Sequence, residues 1–249
     1  INFTPFSFNS EIISLAPSIT ESLYSLGIKD ELIAVTSYCK QPQPNDKKEI
    51  VGSLVNLNLE KIVSLNSDLV LAVKGLNPGK TIKRLKDLGV NVVDFNNCRS
   101  FKDIVRSFKQ LAVLVNREKI ANKIIKEVKQ EVAFITRHHK LKESKTVFIQ
   151  IGSKPLITVG RNSFINDLIN YAGCVNVFDK TIRSYFQTSY ELVISKSPDI
   201  ISVMDMGVFS KDQVLYWQQF NSLDVVKNNH IYLISADNLS RPTPLIFLP

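Results

Sequence analysis

The side chains with catalytic or metal-ligating potential are few and widely spaced in this 249-residue chain. Of three histidines, His138 and His139 adjoin in a polar stretch and His230 stands alone, so no helical His spacing for a metal occurs. Cys39, Cys98 and Cys174 are odd in number and form no CxxC pair, which gives neither a zinc nor a redox site. No GxSxG, P-loop or GxGxxG is present, and the nine glycines are dispersed. What remains is chemistry of recognition. Glu60 and Glu191 stand at matching places in two similar stretches, and Pro17-Ser18 forms a corner between an apolar run and a helical pattern.

Those residues need elements to hold them. Ile12, Ile13 and Leu15 suit a buried strand, while Ile19, Leu23 and Leu26 share one helical face. Ser18 reads as the N-cap of that helix, with Glu21 at capping-box spacing and Gly27 as a left-handed stop. Pro17 and Ser18 thus mark a strand-to-helix corner, and in open α/β sheets ligands bind at the carboxyl ends of strands.

The stretch "LEKIVSLNSDLVLAV" from Leu59 recurs as "YELVISKSPDIISVM" from Tyr190, at the offset of 131 residues that separates Glu60 from Glu191. In each, a glutamate opens a short helix, a Ser follows four residues later, an Asp ends the turn and a β-rich run follows. A looser echo of the opening corner ends at Ile165, Ile169, Ala172 and Gly173, as the first does at Ile19, Leu23, Leu26 and Gly27. The two offsets differ by about fifteen residues, so the architecture is duplicated without being a tandem repeat. Each half reads as strand, helix, strand, helix, strand, the alternation of a parallel sheet covered by helices.

Between the halves, Ser100 and Asp103 start one helix, and a second runs from Arg117 to about Lys140 with Ile120, Ile124, Val128 and Val132 along one side. At 1.5 Å per residue the second is about 36 Å long, a rigid link between two lobes. The expected organisation is an N-terminal α/β lobe over 1–100, a bridging helical segment over 101–140 and a C-terminal α/β lobe over 141–249.

Composition is that of a globular chain, with 44% hydrophobic and 22% charged residues. No run approaches the roughly 18 apolar residues of a membrane span. The net charge of +8 is spread widely, and its densest group, Lys119, Lys123, Lys126 and Lys129, follows a helical face. Without interleaved aromatic residues that face reads as solvated, and no nucleic-acid partner is expected. The chain starts at Ile1 with no basic-then-apolar leader, the expectation being a processed or trimmed sequence compatible with export.

In order along the chain, "IISLAPSITESLYSLG", "VTSYCKQP", "NLEKIVSLNSDLVLAV", "VFIQIGSKPLITVG" and "SPDIISV" resemble the cluster III periplasmic solute-binding proteins of ABC importers, most closely the cobalamin-binding members. The resemblance implies an α/β fold of two Rossmann-like lobes joined by a single long α-helix, with ligand held between the lobes and small hinge motions on binding. It implies a periplasmic or otherwise extracytoplasmic monomer that delivers a large metal chelate to a permease dimer. No resident cofactor is implied, since cobalt or iron would arrive inside the ligand.

Carried over by matching position, Tyr38 stands for a ligand-contacting tyrosine, and Asp237 and Arg241 for an acidic and a basic group of the C-terminal cleft wall. Leu54, Val73, Ile151 and Ile157 stand where the cobalamin-binding relatives resemble each other in having aromatic rings, and Tyr185 stands for a tryptophan. On this reading Pro17, Leu54, Val73, Ile151 and Tyr185 supply apolar wall, and Lys74, Arg183, Asp237 and Arg241 supply polar contacts. Three cations among them suit a ligand with phosphate or carboxylate groups. Glu60 and Glu191 correspond to the family's permease-docking glutamates, although a carboxylate at a helix start is also stabilised by the helix dipole alone. The same family leaves open a ferric siderophore or haem as ligand, and a chelatase-like enzyme is the alternative of another class. The resemblance also implies a last helix beyond "RPTP", where this sequence ends at "LIFLP".

Overall fold

The fold is taken from a computed structural model that describes residues 10–39, 47–138, 144–205, 207 and 210–248. His139, Lys140, Pro249 and the "KQP" of "VTSYCKQP" lie outside the described residues. The chain divides into two compact units. One takes the chain up to Asn97 together with Ile104–Ile125, and the other takes Cys98–Asp103 and Lys126 onward.

The first unit contains β1 (Ile12–Ser14), α1 (Pro17–Ser25), β2 (Leu32–Val35), β3 (Glu49–Ile50), α2 (Leu59–Ser64), β4 (Leu69–Val73), α3 (Gly79–Asp87) and β5 (Val92–Phe95), followed by most of α4 (Phe101–Leu114) and the start of α5 (Glu118–His138). Its five strands lie in the order β3-β2-β1-β4-β5, all parallel. Side chains alternate across a strand, and both faces of this sheet are apolar. Ile12, Leu69, Leu71 and Val73 go to one core with Leu23, Phe108, Leu111, Ala121 and Ile125 from the helices. Ile13, Leu15, Val70 and Ala72 go to the other, with Ile62, Ile82 and Leu85.

In the second unit α5 leads into β6 (Thr146–Ser153), β7 (Leu156–Val159), α6 (Phe164–Tyr171), β8 (Val175–Asn176), β9 (Tyr185–Gln187), α7 (Tyr190–Ser195), β10 (Ile200–Asp205), α8 (Ser210–Gln218), α9 (Asp224–Lys227), β11 (Ile231–Ser235) and α10 (Ala236–Leu239). The strand order is β11-β10-β6-β7-β9, with β8 beside β6. This corrects the expectation of a second parallel sheet. After Ser153 the chain turns back, so β7 runs antiparallel to β6 and to β9, and only β6, β8, β10 and β11 are mutually parallel. A hairpin closed by Lys154 and Pro155 replaces the expected loop.

The duplication extends to single hydrogen bonds. Asp68 accepts from the Glu11 amide ahead of β1, and Asp199 from the Thr146 amide at the start of β6, both at 2.7 Å. Asn58 and Ser189 cap α2 and α7 with their side chains. Asn66 and Ser197 leave these helices with φ of 45° and 44°. Gly27 and Gly173 likewise close α1 and α6 at φ 77° and 76°, a conformation that glycine adopts without a Cβ penalty.

α4 starts as expected: the Asp103 amide donates to Ser100 Oγ, and Asp103 accepts from the Arg99 amide. In α5 the described helix runs Glu118–His138. Of the expected stripe, Val128 is buried and Ile124 packs partly against the core, but Ile120 is exposed and Val132 only half-buried, and Ala121 and Ile125 are buried instead, so the buried side is turned by about 50° from the expected one.

Candidate functional site

In the first unit the strands share one direction, so all their carboxyl ends lie along one edge. Pro17 and Ser18 follow β1 there, Tyr38 follows β2, Leu54 follows β3, and Val73 and Lys74 end β4. The sequence residues expected in this unit's part of a site are therefore brought to a common edge.

The corner is built differently from the expectation. Ala16 is the N-cap, extended at φ −142° and ψ 138°, and Pro17 is the first helical residue. Proline fits that place, having a helical φ and no amide to leave unsatisfied. Ser18 lies inside the helix, where its carbonyl accepts from Ser22 Oγ at 2.7 Å. The corner is fixed from behind by hydroxyls: Thr20 Oγ1 donates to Ser14 Oγ at 2.8 Å, and Ser14 Oγ donates to the Ala16 carbonyl at 3.2 Å. Buried Cys39 Sγ lies 3.1 Å from Thr20 Oγ1 and 3.3 Å from Thr36 Oγ1, tying the loop after β2 to the same cluster. Its neighbour Tyr38 is 63% exposed.

Asn77, which the sequence reading did not single out, joins three segments of this edge. Its Oδ1 accepts from the Val73 amide at 2.9 Å, and its Nδ2 donates to the carbonyls of Leu15 and Leu54 at 3.0 and 3.2 Å. The available signal was a polar residue before proline in "KGLNPGK". Gly52 closes the loop carrying Leu54; at φ 108° a Cβ there would lie 2.3 Å from the Asn56 carbonyl oxygen. Leu54 is half-buried and Lys74 exposed without an ion pair, while Val73 is only 7% exposed and belongs to the core.

In the second unit Ile151 and Ile157 lie on the two arms of the β6–β7 hairpin, with Gly152 paired to Ile157. Gln150, just before Ile151, is buried within a polar chain: Trp217 Nε1 donates to Gln150 Oε1 at 2.7 Å, and Gln150 Nε2 and the Tyr190 hydroxyl both donate to Gln213 Oε1. Asp237 and Arg241 follow β11, whose end is level with that of β10. They form an ion pair with each other, so Arg241 brings little uncompensated charge.

Tyr185 pairs with Val159, two places back from the Ile157–Gln187 pair, and does not share Ile151's level in the sheet. Its ring is 44% exposed, but its hydroxyl end lies by buried Ser163; desolvation pushes the phenol up, opposed by the Ser163 hydrogen bond. Arg183 is exposed and unpaired, on a segment locked to the end of β7 by Arg161 N–H to the Thr181 carbonyl and Gly160 N–H to the Ser184 carbonyl. Among the described residues, Lys74 and Arg183 are thus the expected contact cations without an ion pair.

Glu60 and Glu191 are both exposed at the second position of their helices. Glu191's carboxyl is held below the usual range by its own backbone amide and the Ser189 hydroxyl, so it carries full charge at neutral pH. Among the described residues no cluster of three His, Cys, Asp or Glu could hold a metal ion.

Residues 12–238 match the family described as "Periplasmic binding protein". The chain belongs to this family. This periplasmic binding protein is 30% identical over 233 residues to the vitamin B12-binding protein of Vibrio parahaemolyticus serotype O3:K6, covering 94% of this chain and 84% of the relative. It is 32% identical over 243 residues to the ABC transporter substrate-binding lipoprotein YvrC of Bacillus subtilis, covering 94% and 75%. Among solved structures, a possible iron-binding (periplasmic solute-binding) protein from Staphylococcus epidermidis superimposes with TM-score 0.83 at 32% identity, over 96% of this chain and 95% of that one. The two α/β units joined through one long helix are the fold of these proteins.

Proposed function

We propose that this periplasmic binding protein captures a cobalamin-type corrinoid outside the cytoplasmic membrane and hands it to the permease dimer of an ABC importer, without chemical turnover. The observation that carries this reading is the similarity to a vitamin B12-binding protein along 94% of the chain. The exposed Tyr38 at the carboxyl edge of the first sheet supports it as a flat apolar surface, and Lys74 ends another strand at the same edge. Phosphate or propionamide-like groups on a large ligand suit Lys74 and Arg183, and Ile151 with Ile157 offers apolar wall.

A second reading, a ferric siderophore or haem, is favoured by one observation. Leu54, Val73, Ile151 and Ile157 are aliphatic, so stacking on a corrin would fall mainly to Tyr38 and Tyr185. The similarity to a possible iron-binding protein points the same way.

Calorimetry with cobalamin, cobinamide, haem and ferric siderophores, alongside the fluorescence of Trp217, decides between them. Micromolar or tighter binding of the two corrinoids alone is the expected result. Preference for an iron chelate replaces the first reading by the second, and catalytic conversion of any of them, as a chelatase would perform, removes both. Glu60 and Glu191 are proposed to set the docking register on the permease. Replacing both by Ala should leave ligand affinity within a few fold and weaken transport; loss of ligand binding instead would return them to helix stabilisation.

A further inference from the structure

Lysines occur all along the chain, but most of the excess positive charge falls in one segment. Between Arg99 and Arg137 the sequence holds ten Lys or Arg against four Asp or Glu, six of the eight net positive charges. On α5, Lys119, Lys123, Lys126, Gln130 and Arg137 fall within about 40° of one line at 3.6 residues per turn. The buried Ala121, Ile125 and Val128 lie on the opposite side. Glu118, Glu127 and Glu131 are turned about 80° or more away, so no acid interrupts this outward ridge over its length of about 27 Å.

α4 repeats the arrangement. Lys102, Arg106, Lys109 and Val113 share one line, opposite buried Ile104, Phe108 and Leu111. The side chains of Lys102, Lys109, Lys119, Lys123, Lys126 and Arg137 are exposed and make no ion pair among the described residues. Each ridge also exposes one large apolar side chain: Val113 at 48% and Phe134 at 52%.

We infer that the outward ridge of α5 forms a surface for an anionic phospholipid headgroup layer. Lys61 pairs with Glu49 and Lys86 with Asp94, whereas the ridge lysines make no ion pair among the described residues. A straight array of about 27 Å exceeds any small phosphate compound and matches an extended plane of charge. The exposed Phe134 beside the α5 ridge fits an interface with an apolar layer beneath the charges, which a nucleic acid or polysaccharide lacks. Near an anionic leaflet each Lys or Arg contributes roughly five-fold in binding. The inference is independent of which ligand the protein carries.

The test is co-sedimentation of the whole protein with vesicles of phosphatidylcholine alone or with one quarter phosphatidylglycerol. Binding is expected only to the anionic vesicles, and should weaken as salt shortens the screening length. The variant Lys119→Gln, Lys123→Gln, Lys126→Gln, Arg137→Gln should lose more than ten-fold in partition. A variant with the same charge loss elsewhere, Lys80→Gln, Lys83→Gln, Lys180→Gln, Lys211→Gln, should keep most of it. Absence of binding to anionic vesicles at low salt overturns the inference, as does an equal loss in both variants, which would reduce the effect to net charge. Tighter binding to a short DNA duplex than to the vesicles also overturns it. Thermal unfolding of each variant, expected within a few degrees of the parent, shows that the ridge change acts on the surface.

Discussion

Asn77 ties three backbone segments of the first unit's carboxyl edge, and its removal should be among the most costly single changes there. Asn77→Ala deletes the bonds to the Val73 amide and to the carbonyls of Leu15 and Leu54. The first two partners are buried and stay unsatisfied, while Leu54 is half-buried and regains water. At about 1 kcal/mol net for each bond, with the larger penalty of orphaned buried groups, the loss comes to about 3 kcal/mol. Urea unfolding followed by circular dichroism at pH 7 measures it; with a slope of about 3 kcal/mol/M the midpoint should fall by about 1 M. Asn77→Asp keeps the acceptor for Val73 but sets a carboxylate against two carbonyl oxygens, so at pH 7 it should be worse than Ala. Its carboxyl would be raised in the folded state. That penalty grows as pH rises above the unfolded value near 4 and vanishes as pH falls to it. An Ala variant within about 0.5 kcal/mol of the parent, or an Asp variant as stable as the parent at pH 7, would refute the role given to Asn77.

Asp199 is depressed below its ordinary range by the Thr146 amide first, then by the Thr146 hydroxyl and Lys145. Its stabilisation is present above the unfolded carboxylate range and lost as pH falls through the folded value, so Asp199→Asn should lower the urea midpoint at pH 7, by an amount that shrinks as pH falls through that value. Gly160→Ala places a Cβ 2.3 Å from the Arg183 carbonyl oxygen and 2.5 Å from that of Thr181. Neither backbone can yield cheaply, and a loss of about 2–3 kcal/mol is expected in thermal unfolding. Gln150→Leu leaves the Trp217 indole N–H without its 2.7 Å acceptor, which should cost about 1–3 kcal/mol and shift the emission of Trp217 to the blue.

Much of this protein was legible in its sequence where the deciding contacts are local. The short helices opened by Glu60 and Glu191, the Asp that ends each turn, and the stops at Gly27 and Gly173 all act within a few residues. Such features give the same signal wherever they stand in a chain, and so the duplication was visible as a spacing of 131 residues. The five buried residues of β4 declared a strand covered on both faces, and with the helices around it an α/β fold.

The tertiary structure alone decided the rest. The sequence pattern puts the N-cap of α1 at Ser18; the structure puts it at Ala16, with Pro17 at the first helical position and a hydroxyl cluster behind it. On α5, Ala121 and Ile125 rather than Ile120 and Val132 are buried in the core, a choice set by what packs against the helix. The use of Asn77 depends on partners such as Leu15, 62 residues away in the chain. A hydrogen bond over that separation has no spacing rule, since the fold must first bring both ends together before either residue gains from the other.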